Sequence, residues 1–209
     1  EHLEQLGRFI GRIHALGATK KFEHRTTLDI ETLAIKPRAF LLDNNFIPEY
    51  LLDDYTSVTR DLLEQIELNF EKAGDTKYIR LHGDCHPSNI LWTDDGPHIV
   101  DFDDARTGPA IQDLWMFLSG DRPYMTERLA DLLDGYTRFY DFNPRELHLV
   151  EALRTLRIIH YTSWIASRWH DPAFPKAFPW FDTTRYWEEH ILALREQASL
   201  LNERPLVWD

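Results

Sequence analysis

Between Arg80 and Asp113 the chain concentrates oxygen-bearing side chains in one run, His82-Gly83-Asp84-Cys85-His86-Pro87-Ser88-Asn89-Ile90-Leu91, followed by Ile99-Val100-Asp101-Phe102-Asp103-Asp104. Asp84 follows a short apolar run, Asn89 lies where the chain re-enters a second, and Asp101 ends a third. Asn and Asp are hard oxygen donors of the kind Mg²⁺ takes. That ion keeps several waters and fills the rest of its shell with substrate phosphates. A carboxylate outside the shell is then available to orient or deprotonate a hydroxyl. One Asp as base, with an Asn and an Asp on magnesium, is the arrangement that phosphoryl transfer uses.

Such groups need short strands and tight turns to hold them. Tyr78–His82, Asn89–Trp92 and His98–Phe102 read as β-like runs, separated by Gly83, by Pro87-Ser88 and by Asp94-Asp95-Gly96-Pro97. The last of these is a turn signal, so Asn89–Trp92 and His98–Phe102 are expected to pair as a hairpin. Helical periodicity dominates both flanks. Leu3, Leu6, Ile10 and Ile13 predict a first helix with Gly17 at its C-cap, and Ser57–Lys72 predicts a second with Gly74 just past its end. Lys20–Pro48 shows little periodicity. Beyond Ala110, helices are expected over Asp113–Gly120 and Thr126–Tyr140, from Pro144 to about Trp169, and from about Thr183 to Asn202. A Pro- and aromatic-rich connector fills Asp171–Asp182. The expected class is α+β, mainly helical, one domain with a small central β-hairpin.

The 209 residues carry 35 Asp+Glu against 23 Lys+Arg, a formal net charge of −12. That balance argues against nucleic-acid and anionic-membrane partners, because phosphate-rich surfaces require a basic face. With 43% hydrophobic residues and 12 Phe, 8 Tyr and 7 Trp, a disordered or fibrous chain is excluded. Mean hydropathy is −0.44, and no apolar run approaches the roughly 20 residues of a membrane-spanning helix. Cys85 is the only cysteine, so no internal disulfide can form, and the expected setting is cytoplasmic.

The pattern His-Gly-Asp-x-x-x-x-Asn-Ile-Leu, then apolar-Asp-Phe-Asp-Asp, resembles the aminoglycoside phosphotransferase/choline kinase superfamily, a branch of the protein-kinase-like fold. The likeness runs nearly end to end. It includes Gly7–His14, Arg80–His86, Gly108–Met116 and Asp171–Lys176, and it is greatest toward bacterial Ser/Thr protein kinases of stress response. The resemblance implies a C-terminal kinase lobe built around a catalytic loop. It implies Asp84 as proton acceptor for the substrate hydroxyl, Asn89 and Asp101 as magnesium ligands, and ATP as co-substrate. The acceptor it implies is a hydroxyl, of protein Ser/Thr first and of a small aminoalcohol or aminoglycoside as the alternative.

Other residues of the run admit plainer roles. His82 is expected to hold the catalytic loop by hydrogen bonds, and Cys85 to pack. Asp103 and Asp104 either touch a second metal or pair with Arg106, pairing being the preferred role. Asp113 either caps a helix or, as in similar kinases, braces the loop. Trp164, Trp169, Trp180 and Trp187 are expected to pack between helices.

Two rival classes stand beside the kinase. His82, Asp84, His86, His98 and Asp101 could serve a zinc or two-metal hydrolase, which leaves Asn89 without work. A kinase-like scaffold could also be a silent binding module, although every motif residue is present.

A kinase of this type also needs a nucleotide-cradling strand pair and a lysine on the phosphates. The nine glycines form no G-x-G-x-x-G, and none of the six lysines lies in an apolar strand. The expectation is that residues 1–209 are the C-terminal, catalytic-loop lobe of a longer kinase whose N-terminal lobe lies outside this chain. Alone, the lobe should bind ATP poorly and transfer no phosphate.

Overall fold

The computed structural model describes residues 2–208. The chain forms seven helices, α1 (His2–Gly17), α2 (Lys36–Asp43), α3 (Leu52–Ala73), α4 (Arg122–Tyr136), α5 (Val150–Ser167), α6 (Ala173–Ala177) and α7 (Thr184–Leu200), among the described residues, and two small antiparallel sheets. Strands β1 (Tyr78–Leu81) and β4 (Arg106–Pro109) form one, and β2 (Ile90–Thr93) and β3 (Gly96–Ile99) the other. The mainly helical α+β class is as expected. No helix among the described residues is long and apolar enough to cross a membrane.

The chain folds as two compact units. One comprises residues 1–28, 73–150 and 205–209, the other 29–72 and 151–204. Two of the crossings fall inside continuous helices, between Lys72 and Ala73 in α3 and between Val150 and Glu151 in α5.

The first unit holds the motif. Its α1 and α4 approach through glycine. A methyl group on Gly7 would stand 2.0 Å from the Leu132 carbonyl oxygen, on Gly11 2.6 Å from that of Tyr136, and on Gly135 1.9 Å from that of Glu4. Leu6, Ile10, Leu129, Leu132, Leu133 and Tyr136 are buried there. Gly17 has the same duty and is no left-handed cap. It ends α1 against the backbone of Arg80, with a virtual Cβ 2.3 Å from that carbonyl oxygen, whereas Gly74, at φ +66°, terminates α3 as expected.

Several boundaries differ from the sequence reading, each for a local reason. The hairpin forms, with Ile90 opposite Ile99 and Thr93 opposite Gly96 across the two-residue turn Asp94-Asp95. Its second strand ends at Ile99 instead of Phe102, because Asp101 turns left-handed (φ 65°, ψ 67°) and Phe102–Asp104 wind into a 3₁₀ turn. β4 was not expected. It pairs with β1 and also receives the preceding loop, through Leu28 N–H to Thr107 O (2.7 Å) and Thr107 N–H to Thr26 O (3.0 Å).

The helix expected over Asp113–Gly120 is replaced by two 3₁₀ turns, Ala110–Asp113 and Trp115–Phe117, whose side chains are almost all buried. Within the weakly periodic Lys20–Pro48 segment lie a π-helical turn (Glu31–Ile35) and α2. Pro37 is tolerated there because it occupies the first turn of α2.

In the second unit, α3, α5 and α7 contribute Leu62, Ile66, Leu156, Ile159, Trp187 and Leu194 to the core. Tyr55 of α3 stacks on His190 of α7 (6.0 Å), and Thr155 of α5 bonds Gln197 of α7 (3.1 Å). The aromatic connector is ordered around α6. Trp187 is buried as expected, and Phe181 with it, but Trp180 remains 41% exposed.

Glu146 shows how burial tunes the first unit. It is 3% exposed and accepts the Ile111 N–H (2.9 Å), so it pins the 3₁₀ turn that ends on Asp113. Burial raises its carboxyl from 4.5 to about 7, while the backbone donors Ile111 and Ala110 oppose the shift. A carboxyl raised on folding stabilises fully below its unfolded value, and that contribution is lost as pH climbs through 4.5 to about 7. Chemical denaturation at pH 5 and pH 7.5 should therefore differ by on the order of 2–3 kcal/mol more in the parent than in Glu146→Gln, which keeps the acceptor and cannot titrate. Equal pH slopes in the two proteins would remove Glu146 as the source.

Candidate functional site

β1 delivers the chain to His82, and Gly83 turns it at φ +88°. A side chain at Gly83 would be strained twice over, since its Cβ would also lie 2.3 Å from the Asp104 carbonyl oxygen. Past this turn the loop is held from below by one carboxylate. Asp113, 1% exposed, accepts the His82 N–H at Oδ2 (2.7 Å) and the Gly83 N–H at Oδ1 (2.8 Å), and His14 Nε2 lies 3.0 Å from its Oδ2. His14 is itself wholly buried, with Nδ1 2.8 Å from the Tyr136 hydroxyl. Of the two roles open to Asp113, bracing the loop is the observed one. Gln112 adds a donor from the same turn, Nε2 to Gly83 O (2.8 Å).

His82 is the scaffold expected. Its Nδ1 accepts the Asp84 N–H (3.3 Å), so its Nε2 carries the proton donated to Val100 O (2.8 Å). One imidazole thereby joins the loop to the hairpin. With both ring nitrogens engaged, His82 cannot ligate zinc. His98 sits on the exposed outer strand with Nε2 3.1 Å from Thr93 Oγ1. The hydrolase ligand set therefore does not assemble.

Asp84 projects from this braced turn with its side chain 23% exposed. His86 Nε2 lies 3.4 Å from Asp84 Oδ2, while His86 Nδ1 accepts the Ser88 N–H (3.2 Å). That second bond fixes the tautomer with its proton toward Asp84. His86 is thus a positioning group that the sequence reading considered only as a zinc ligand.

Asn89 completes the turn. Its Nδ2 donates to Asp84 O (3.0 Å) and its carbonyl accepts the Val100 N–H (3.0 Å). Asn89 therefore sits across from Val100, one residue before Asp101, at the end of the hairpin away from its turn. Asp101 is exposed, and its carboxylate accepts no hydrogen bond from a described residue.

Among the described residues no three of His, Cys, Asp and Glu converge on one point, so there is no closed cage of the kind a structural metal requires. One amide oxygen and one uncommitted carboxylate suit a hard cation that takes water and phosphate oxygens for the rest. When bound, Mg²⁺ would neutralise charge on the transferring phosphates.

Of the two neighbouring acids, Asp104 has the structural role preferred for it: Arg106 Nη2 pairs with its Oδ1 (2.9 Å) and Arg106 Nε bonds its carbonyl (3.0 Å). Asp103 does not share that pairing, and among the described residues only its backbone carbonyl is engaged, by Arg25 Nη1. Cys85 is 1% exposed. Burial first, then the carboxylates of Asp113 and Asp84, raise its thiol well above the ordinary value, so it packs and is no nucleophile.

Comparison with known proteins adds the following. A model of the phosphotransferase enzyme family matches residues 1–150. Stress response kinase A of Escherichia coli (strain K12) is 41% identical over 206 residues, 99% of this chain and 62% of that protein. A protein named serine/threonine protein kinase RdoA, of Salmonella typhimurium, is 39% identical over the same shares. The chain thus spans less than two thirds of the length of the curated relatives it matches. Among solved structures, amicoumacin kinase hAmiN in complex with AMP-PNP, Ca²⁺ and Ami superposes with a TM-score of 0.64 over 98% of this chain and 60% of that one, at 16% identity. At that identity the likeness is one of fold.

Proposed function

We propose, from the premise that this chain belongs to the phosphotransferase enzyme family, that it is the catalytic-loop lobe of an ATP- and Mg²⁺-dependent kinase. The enzyme transfers the γ-phosphate to a hydroxyl, with protein Ser/Thr as the preferred acceptor. In this reading Asp84 orients the acceptor hydroxyl and takes its proton, and Asn89 Oδ1 with the Asp101 carboxylate holds magnesium. An N-terminal lobe outside residues 1–209 supplies the nucleotide cradle. The observation that supports the proposal is the pair of hydrogen bonds in which Asn89 Nδ2 donates to Asp84 O and the N–H of Val100, the residue before Asp101, donates to Asn89 O. That pair ties the Asp84 turn to the segment that carries Asp101.

His86 keeps the Asp84 carboxylate in one orientation, and the clamp of Asp113 on the backbone of His82 and Gly83 prevents the loop from drifting. Preorganisation of this sort is where most catalysis of phosphoryl transfer resides, since the chemistry itself asks little of the protein. The Ser/Thr preference rests on the name of the Salmonella relative, and the amicoumacin kinase keeps a small-molecule acceptor as the second arm of the test. The full-length protein should be offered a generic protein substrate and small aminoalcohols in parallel, with phosphate transfer read by mass spectrometry. Transfer to neither in the presence of Mg²⁺ and ATP would sink the proposal.

Asp101 separates folding from chemistry. A non-glycine residue in the left-handed region costs about 1–2 kcal/mol, a strain that glycine does not feel. Asp101→Gly in the full-length protein should hold or raise the melting temperature, while transfer falls by roughly 10²-fold or more through loss of a cation ligand. A destabilised variant with normal transfer would reverse both assignments.

A further inference from the structure

The first unit contains a cavity, lined by no residue of the Asp84 loop, formed by β1, Thr107 of β4 and the segment that follows α1. It encloses about 530 Å³, within the range of small-molecule sites. Its charged lining is wholly basic: Lys20, Lys21, Lys77 and Arg80. Three of the chain's six lysines thus surround one hollow in a protein of net charge −12. Glu23 and Asp75 are near in sequence, but neither lines the cavity, and Glu23 lies against His24 instead (3.9 Å).

A simpler account is that these cations answer the C-terminus of α1, and for Arg80 it holds in part. Arg80 Nε and Nη2 bond the Gly17 and Leu16 carbonyls at 3.3 and 3.1 Å. A helix end, however, presents only about half a negative charge. Four cations line the cavity, so the helix end answers only a small part of their charge.

The rest of the lining suits recognition. The Arg80 guanidinium is anchored by those two carbonyls and lies 5.6 Å from the Phe22 ring, so its orientation is set in advance. Lys77 is held from behind by Tyr140, with Nζ 5.3 Å from the ring centroid. Thr27 and Thr107, joined by a β-bridge, bring two hydroxyls to the sheet side.

We propose that this cavity binds a small phosphorylated anion carrying at least two negative charges, at a site separate from the Asp84–Asn89–Asp101 centre. Multiple ammonium groups with an oriented guanidinium and neutral hydroxyl donors match phosphate oxygens. The site lies on β1, the strand that leads directly into His82 and Gly83.

The probe is inorganic pyrophosphate, titrated calorimetrically into the full-length protein in EDTA, which withholds the divalent cation that the motif site requires. Binding is expected, weakening steeply between 50 and 300 mM salt. Lys20→Ala/Lys21→Ala/Lys77→Ala should weaken it roughly tenfold or more, as expected for three exposed charges. The charge-matched control Lys36→Ala/Lys72→Ala/Lys176→Ala, which replaces the other three lysines, should bind like the parent. Both triple variants should fold, since all six side chains are exposed. The first should also keep its phosphate transfer at saturating ATP within about twofold of the parent. No binding by the parent, equal binding by both triple variants, or equal weakening in both would overturn the proposal.

Discussion

Asp84→Asn in the full-length protein should fold with an unchanged melting temperature and lose phosphate transfer by roughly 10²–10⁴-fold, the usual contribution of a positioned general base. The substitution preserves size and the backbone bonds to His82 and Asn89, because those use the Asp84 N–H and carbonyl and not its side chain. What changes is the proton acceptor, together with its contact with His86. The loss should appear in kcat with KM for nucleotide little altered, since Asp84 lies outside the proposed cation pair. Transfer within tenfold of the parent, measured by mass spectrometry at saturating Mg²⁺ and ATP, would exclude Asp84 as the base.

The second large effect falls on stability. Asp113→Ala should destabilise the protein by roughly 3–5 kcal/mol, since it leaves the His82 and Gly83 N–H groups and His14 without their common acceptor in a buried place. A loss of that size is a large part of the 5–15 kcal/mol that holds a typical domain together. Asp113→Asn is the informative partner. It keeps the shape and one acceptor oxygen but gives up an acceptor and the charge, so it should fold and show reduced kcat from a looser loop. If Asp113→Ala unfolds in denaturant as the parent does, the clamp contributes little and the loop is held by His82 and Gln112 alone.

The motif was legible in the sequence because its residues lie close along the chain and each turn between them carries its own signal. Asp84, Asn89 and Asp101 needed only Gly83, Pro87 and the Asp94-Asp95 turn to be placed. The support beneath them was harder to see. His14 meets Asp113 99 residues away and Tyr136 122 residues away. No local pattern marks such pairings, although buried polar groups on the apolar faces of α1 and α4 were their trace. The 3₁₀ turns at Ala110–Asp113 and Trp115–Phe117 escaped because a buried apolar run has helical spacing whichever helix type it adopts. Strand β4, as Arg106-Thr107-Gly108-Pro109, lacks alternation and is a strand only because β1 and Leu28 hydrogen-bond it from both sides. Composition gave −12 for the whole chain and concealed the basic cavity, which only folding collects.

The interleaving of the two units has a consequence for synthesis. Residues 29–72 leave the ribosome early, but their partners, residues 151–204, follow only after the roughly 80 residues of the intervening segment. At ordinary rates of about 5–20 residues per second, α3 spends several seconds with Tyr55, Leu62 and Ile66 uncovered. Most of the motif-bearing unit does not wait, since α1, β1 and α4 all lie within residues 2–136. The nascent chain therefore pairs α1 with β1 and α4 early and carries a sticky, unpaired helix until the second half of the companion unit emerges.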